Sequence, residues 1–369
     1  MKPFIATLLT VLTVVLTPWG SAVATSPELP ADQYSRGIVR SVTSGDLQKA
    51  DGSTMIGGKR IVGVHLNGGD QPEQDVVVEE TDPDTIKGFS LSVGDAVVVV
   101  KSTSVQAKES YAIVDTYRIP RLWMLSGIFF LVALLFGRIR GATSILGLVL
   151  TGVVIIGYVV PQIMAGGNPL TVSIIASLII TVPSLYLAHG LNARTTVALV
   201  STLITLAATA WIATRFVGWA HLSGNGSEDA FFLQGLGLNN LNLQGLLLAG
   251  IILGVVGILD DITTAQSAVV EELHQANPKL SVSELYRRGI SVGREHITSL
   301  INTLFLAYAG VSLPLFLLFR AGNDQPLWLI VNSEPIAEEI VRTLVGSVCL
   351  VLAVPITTLL AAAWFGKKV

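Results

Sequence analysis

The chain has 369 residues, 51% of them apolar and only 13% charged, with a mean hydropathy of +0.65. A soluble domain carries about 25% charged residues, so this balance points to an integral membrane protein. A net charge of −3, with no basic patch interleaved with aromatics, argues against a nucleic-acid partner. The lone Cys349 excludes both an intrachain disulfide and a cysteine-rich metal centre.

Residues 1–24 read as an export signal. Lys2 supplies the positive start, Phe4 to Leu16 the apolar centre, and Ala22-Val23-Ala24 an A-x-A cleavage site. The other reading is an uncleaved anchor helix, and either one places residues 25–118 outside the cytoplasm. That stretch is polar and holds short alternating runs: GIVRSV, KRIVGVHL, QDVVVEE, DAVVVVK and YAIVDTY. Turn signals at Asn67-Gly68-Gly69, Asp82-Pro83-Asp84 and Val93-Gly94-Asp95 separate them, which predicts about five strands in a small antiparallel barrel or sandwich. His65 falls on a strand and reads as a structural histidine rather than a ligand. The domain reads as a sensing or docking cap.

Apolar segments near 122–137, 143–164, 169–190, 195–219, 244–268, 297–319 and 342–365 predict an α-helical polytopic protein with about seven transmembrane helices over residues 119–369. With residues 25–118 outside, the inner loops carry Arg138, Arg140, Arg194, Lys279, Arg287, Arg288, Arg294, Lys367 and Lys368. The loop 320–341 carries Arg320 and acids. The positive-inside rule then puts the carboxyl terminus in the cytoplasm and fits a plasma-membrane location. Pro161, Pro183 and Pro355 lie within spans, as kinks or as the breaks found in transporter helices.

The fifth segment carries the densest signal. In AGIILGVVGILDD, Gly250, Gly254, Gly257 and Asp261 recur at steps of four, three and four, so they share one helix face. Gly250 to Gly254 is a GxxxG pattern that allows close helix packing. Ionisable groups in a span are costly, which makes Asp260 and Asp261 a functional-site hypothesis. Entering from outside, the helix reaches Asp260 after about 25 Å of rise. The next span starts inside with Glu295, Ser299 and Asn302 on one face at a similar depth, and the two polar faces are expected to meet. Two carboxylates with amide and hydroxyl oxygens form a hard donor set for Mg²⁺, Mn²⁺ or Na⁺ rather than zinc. Pairing of the acids with Arg287 or Arg294 is the purely structural alternative. Ahead of this face, Ser281-Val282-Ser283-Glu284 has the form of a capping box. Leu285, Ile290 and Val292 among basic residues then suggest a short helix on the inner leaflet or in solvent.

The blocks AGIILGVVGILDD, LHQANPKLSVSELYRRGISVGREH and NTLFLAYAGVSLPLFLLF, with GGNPLTVSIIASLIIT and LAHGLNARTTVALVSTL, resemble the YibE/F family of bacterial multi-pass membrane proteins over roughly residues 120–320. The amino-terminal domain fits the YibE-like members, which are encoded in some cases beside a shorter YibF-like protein. The resemblance thus implies a YibF-like membrane partner or a homo-oligomer within the lipid bilayer. It implies presumed permease activity and assigns no catalytic residue. Residues and resemblance together lead to a transporter of a small ion or solute, with Asp260 and Asp261 as cation or proton ligands. Glu295, Ser299 and Asn302 complete that site, and Gly250, Gly254 and Gly257 permit its packing. The alternatives are a Mg²⁺-dependent membrane enzyme acting on a lipid phosphate and a non-transporting scaffold.

Overall fold

The computed structural model describes residues 32–48, 54–81, 90–103, 109–236, 240–321 and 326–366. The export signal, the Asp82-Pro83-Asp84 turn and Lys367-Lys368 lie outside the described residues. Among the described residues, the chain divides into two compact units, one up to Val132 and one from Ala133 on.

The first unit holds an antiparallel sheet of β1 (Gln33–Gln48), β2 (Thr54–Gly69), β3 (Gln74–Glu80), β4 (Ala96–Thr103) and β5 (Glu109–Thr116). Their order is β3-β2-β1-β4-β5. Each expected run falls on one strand. β1 pairs with β2 along one edge and β4 along the other, and bulges interrupt its register with β2. Bulges bend a strand and increase its twist. The sheet curls into a half-barrel, and Gln74 Nε2 on β3 reaches Tyr111 Oη on β5 at 3.4 Å. Alternation sends Val39, Val62, Val64, Leu66, Val76, Val78, Val97, Val99 and Ile113 inward as one core. Gly94 adopts φ +97° in the tight turn before β4, a conformation costly for any residue with a Cβ. Inside the sheet, the cross-strand pair Arg60 and Glu80 is buried, with Arg60 Nε donating to Glu80 Oε2 at 2.6 Å.

His65 makes a second cross-strand link. Its Nδ1 lies 2.7 Å from Asp75 Oδ1 and its Nε2 3.1 Å from Glu73 Oε1. Two acceptors require both ring nitrogens to donate, which only the imidazolium can do. The bond to Asp75, then that to Glu73, raises the His65 pKa above 6.5. The clamp is therefore complete below pH 6.5 and is lost as pH rises through the raised value. Ring-proton NMR of labelled full-length protein should show His65 titrating above the ordinary histidine range, and Asp75→Asn should return it toward that range.

From Ile119 on, the described chain is helical. Among the described residues, five helical runs are long and apolar enough to cross a membrane: Ile119–Met164, Pro169–His189, Ala193–Trp219, Leu243–Ala276 and Glu334–Phe365. The first run contains both of the first two expected segments. It comprises α1 (Ile119–Val154), a π-helical turn (Ile155–Val159) and α2 (Val160–Met164). Inside α1 the helix breaks at Arg138, which takes φ 51° and ψ −130°. The break is sharp enough that a Cβ on Gly141 would collide with the Ala133 carbonyl.

The remaining elements are α3 (Pro169–His189), α4 (Ala193–Trp219), α5 (Glu228–Gly235), α6 (Leu243–Ala276), α7 (Val282–Val311), α8 (Leu313–Ala321), α9 (Leu327–Asn332) and α10 (Glu334–Phe365). Asparagine side chains cap α3, α4 and α6: Asn168, Asn192 and Asn242 accept from the backbone N–H groups of Thr171, Thr195 and Gly245. The sixth expected segment, 297–319, is shared between α7 and α8. Its polar start keeps it out of the set of apolar spans.

Helix α6 is the hub. It packs against α3, α4, α7 and α10, and Ile251, Ile252 and Leu259 are wholly buried at its centre. The link after it is shorter than the sequence suggests. α6 runs to Ala276, and α7 starts at Val282 behind the Ser281–Glu284 capping box and continues unbroken to Val311. The segment read as an independent basic helix is thus the first half of α7, and its Leu285, Gly289 and Gly293 are buried.

Those glycines let α10 and α6 approach α7 closely. A Cβ on Gly289 would lie 2.8 Å from Thr358 Cγ2 and 2.9 Å from Val270 Cγ2, and one on Gly293 would collide with Val354 Cγ1. At Gly257, by contrast, an added Cβ meets nothing within 4 Å. Gly293→Val should cost about 1–3 kcal/mol through overpacking. Gly257→Ala should be neutral or stabilising by up to about 1 kcal/mol through helix propensity. Thermal unfolding in detergent checks both.

Candidate functional site

The sequence-selected face of α6 forms as its spacing requires: Gly250, Gly254, Gly257 and Asp261 are all exposed. Among the described residues this face is largely open: an added Cβ on Gly250 or Gly257 meets nothing within 4 Å, and one on Gly254 meets Tyr308 Oη of α7 at 3.3 Å. Asp260, one residue earlier, is turned about 100° around the helix. It is partly buried, and its Oδ1 is sealed from solvent without a hydrogen-bond partner. The two acids therefore face different surroundings. Asp261 is on the open face, within electrostatic range of His189, whereas Asp260 is directed into the bundle.

Glu295, Ser299 and Asn302 are exposed on α7. Among the described residues, no hydrogen bond or ion pair joins them to Asp260 or Asp261, and none joins either acid to Arg287 or Arg294. Nor, among those residues, does any group of three or more His, Cys, Asp or Glu side chains come together in a way that could hold a metal ion. The basic residue nearest this end that does find an acid is Arg194, whose Nη1 lies 3.6 Å from Glu271.

Beyond the acids, the polar run of α6 bonds to three neighbours, while Gln266 Oε1 is buried without a partner. Thr264 Oγ1 donates to the Asp260 and Asp261 carbonyls at 2.8 and 3.0 Å. Thr263 meets Thr202 of α4 at 2.8 Å, and Ser267 donates to the Arg194 carbonyl at 3.0 Å. Gln266 Nε2 donates to the Gly289 carbonyl of α7 at 2.9 Å and to Thr358 Oγ1 of α10 at 2.7 Å. One amide thus fastens three helices.

Sequence reasoning passed over two hydroxyl ladders beside α6. On α3 they are Ser173, Ser177 and Thr181; on α4, Ser201, Thr205 and Thr209. All six are fully buried. Four-residue spacing of small side chains, legible as S-x₃-S-x₃-T and S-x₃-T-x₃-T, lets helices approach closely. Five of the six hydroxyls donate back to a carbonyl of their own helix, Ser173 to Leu170, Ser177 to Ser173, Ser201 to Val197, Thr205 to Ser201 and Thr209 to Thr205. Thr181 is the exception: its Oγ1 is buried without a partner.

A family model described as YibE/F-like protein matches residues 125–367. The chain belongs to that family. The match takes in α3, α4, α6, α7 and α10, so the acid pair and the hydroxyl ladders are parts of the YibE/F-like region, whereas the half-barrel precedes it. No curated protein and no solved structure matches this YibE/F-like chain.

Replacing Gln266 by leucine keeps the bulk and removes the three-helix tie. It leaves the buried Gly289 carbonyl without that donor, at a cost of about 1–3 kcal/mol. Gln266→Leu should lower the thermal midpoint in detergent, and Thr358→Val added to it should cost less than it does alone, as expected for coupled partners.

Proposed function

We propose that this YibE/F-like protein is a permease of the plasma membrane that moves a small ion or solute, with Asp260 as the cation or proton ligand at its centre. One observation carries the reading: the hub helix brings a carboxylate oxygen into the bundle and leaves it without a protein partner. A buried polar atom without a partner costs about 1–3 kcal/mol, and in membrane proteins such groups mark ion and proton pathways.

Asp261, with His189 in electrostatic range, lies one residue nearer the basic end of α6 and serves as the approach to Asp260 on the cytoplasmic side. Glu295, Ser299 and Asn302 extend that approach along α7. The glycine face of Gly250, Gly254 and Gly257 is where a second membrane helix seats, from a YibF-like partner or another copy of the chain. In this arrangement α1–α2 supplies two spans on either side of the Arg138 break, and α7–α8 supplies the sixth of seven. The half-barrel is outside and the carboxyl terminus in the cytoplasm. The broken helix at Arg138 and the prolines within α3 and α10 suit a protein whose helices reposition during a transport cycle.

Asp260→Asn should abolish ion flux in reconstituted vesicles while leaving insertion and thermal unfolding intact, and Asp261→Asn should slow it. Full flux in both variants would remove the acids from the pathway.

A further inference from the structure

Near its carboxyl end, α4 carries a groove of about 510 Å³ lined by Ala210, Trp211, Thr214, Arg215, Gly218 and Trp219. The helix turns Leu206, Ala213 and Val217 into the core. Trp211, Arg215 and Trp219 recur at four-residue spacing on the opposite side. Trp211 is 64% exposed and Trp219 70%, so the groove opens away from the bundle. On a helix long and apolar enough to cross a membrane, that direction is lipid.

The depth of the groove follows from the residues around it. After Trp219 the apolar run gives way to the polar stretch Ser223-Gly224-Asn225-Gly226-Ser227, and tryptophans at the end of a span mark the boundary between hydrocarbon and headgroups. Arg215 lies one turn before that boundary, about 6 Å of rise. A side chain of its length reaches the headgroups from there.

The groove has the two parts that an amphipathic ligand needs. Its floor is small and electrically quiet: Thr214 returns its hydroxyl to the Ala210 carbonyl at 2.7 Å, and a Cβ on Gly218 would meet nothing within 4 Å. Its walls are aromatic. Phe216 meets the Trp219 ring edge-on, with centroids 5.5 Å apart. The Arg215 guanidinium lies 5.9 Å from the centre of the Trp211 ring, a cation–π contact that steadies it.

That contact leaves the charge unneutralised. Among the described residues, no acid forms an ion pair with Arg215. The carboxylates of α10 that meet the chain just after α4 are engaged elsewhere. Glu334 Oε1 accepts from the Ser223 N–H and hydroxyl at 2.5 and 2.6 Å, and Glu338 Oε1 from the Gly226 N–H at 3.0 Å. Glu339 lies 3.0 Å from Arg342.

We infer that this groove binds one anionic phospholipid of the leaflet at the carboxyl end of α4. The guanidinium takes the phosphate through two parallel N–H donors, a geometry that lysine lacks. Trp211 and Trp219 flank the glycerol region, and an acyl chain lies over Ala210, Thr214 and Gly218. A zwitterionic lipid brings its own ammonium group, which competes with Arg215 for the phosphate. The anionic lipid is therefore preferred. Such a site is independent of ion transport.

Native mass spectrometry reads the occupant directly, on purified full-length protein reloaded in detergent with equal amounts of phosphatidylglycerol and phosphatidylethanolamine. The parent should retain one phosphatidylglycerol per chain in preference to phosphatidylethanolamine. Arg215→Gln should lower that retention by about fivefold or more, the loss of one basic contact, and Arg215→Lys should recover it in part. Gly218→Leu fills the floor and keeps the charge, and it should lower retention as well. The open surroundings of Gly218 let that variant fold. Arg121→Gln, at an exposed arginine near the start of α1, should retain lipid as the parent does.

Retention by either Arg215→Gln or Gly218→Leu within about twofold of the parent would overturn the site. Equal retention of the two lipids by the parent, or no lipid at all, would do the same. So would a loss in Arg121→Gln as large as that in Arg215→Gln, the mark of general surface attraction. A lipid-free parent that dimerises, and stops doing so as Gly218→Leu, would assign the groove to a second copy of the chain instead.

Discussion

Apolar side chains cannot choose among the many ways of packing one membrane helix against another, because lipid satisfies them equally well. Contacts that lipid cannot replace decide the arrangement. In this protein they converge on α6. Gln266 binds the backbone of α7 and the side chain of α10, Thr263 binds α4, and Ser267 binds the start of α4 through the Arg194 carbonyl. The large apolar cluster around Ile251, Ile252 and Leu259 fills the space these bonds define. Placing the ties toward one end of the hub leaves Asp260 in a segment whose surroundings are already fixed on three sides.

The hydroxyl ladders contribute differently. A serine or threonine that returns its hydroxyl to its own helix becomes a small, electrically quiet side chain, and a row of them makes a smooth surface for a neighbour. Ser173 and Ser177 do this on α3 and Ser201, Thr205 and Thr209 on α4. Against that background the Thr181 and Thr357 hydroxyls, buried without a partner, are chemical features rather than packing elements.

Much of the architecture was legible in the sequence because it follows from periodicity. The five strands were readable as alternating runs, and the Ser281–Glu284 cap by its spacing alone. Span number was less legible: apolar runs show where a helix can form, not where it bends. Arg138 joins two expected segments in one helical run through a backbone conformation that residue type does not announce. For the candidate site, the spacing correctly put Gly250, Gly254, Gly257 and Asp261 on one face. It could not tell that this face is open and that Asp260, one residue away, is the acid directed inward. The expected meeting with Glu295, Ser299 and Asn302 came from a shared face, a similar depth and adjacent helices, none of which says which way α7 is rotated. The glycines that do receive another helix, Gly289 and Gly293, were hidden by the arginines and glutamate around them.

The notch cut by those two glycines also restricts how the helices can move. Gly289 faces Thr358 and Gly293 faces Val354, so a four-residue spacing on α7 meets a four-residue spacing on α10, running in opposite directions. A shift of α10 by a fraction of a turn would drive a branched side chain against the ridge between the notches. Sliding between this pair is thus quantised: α10 either stays in register or advances by a whole turn, about 5.4 Å.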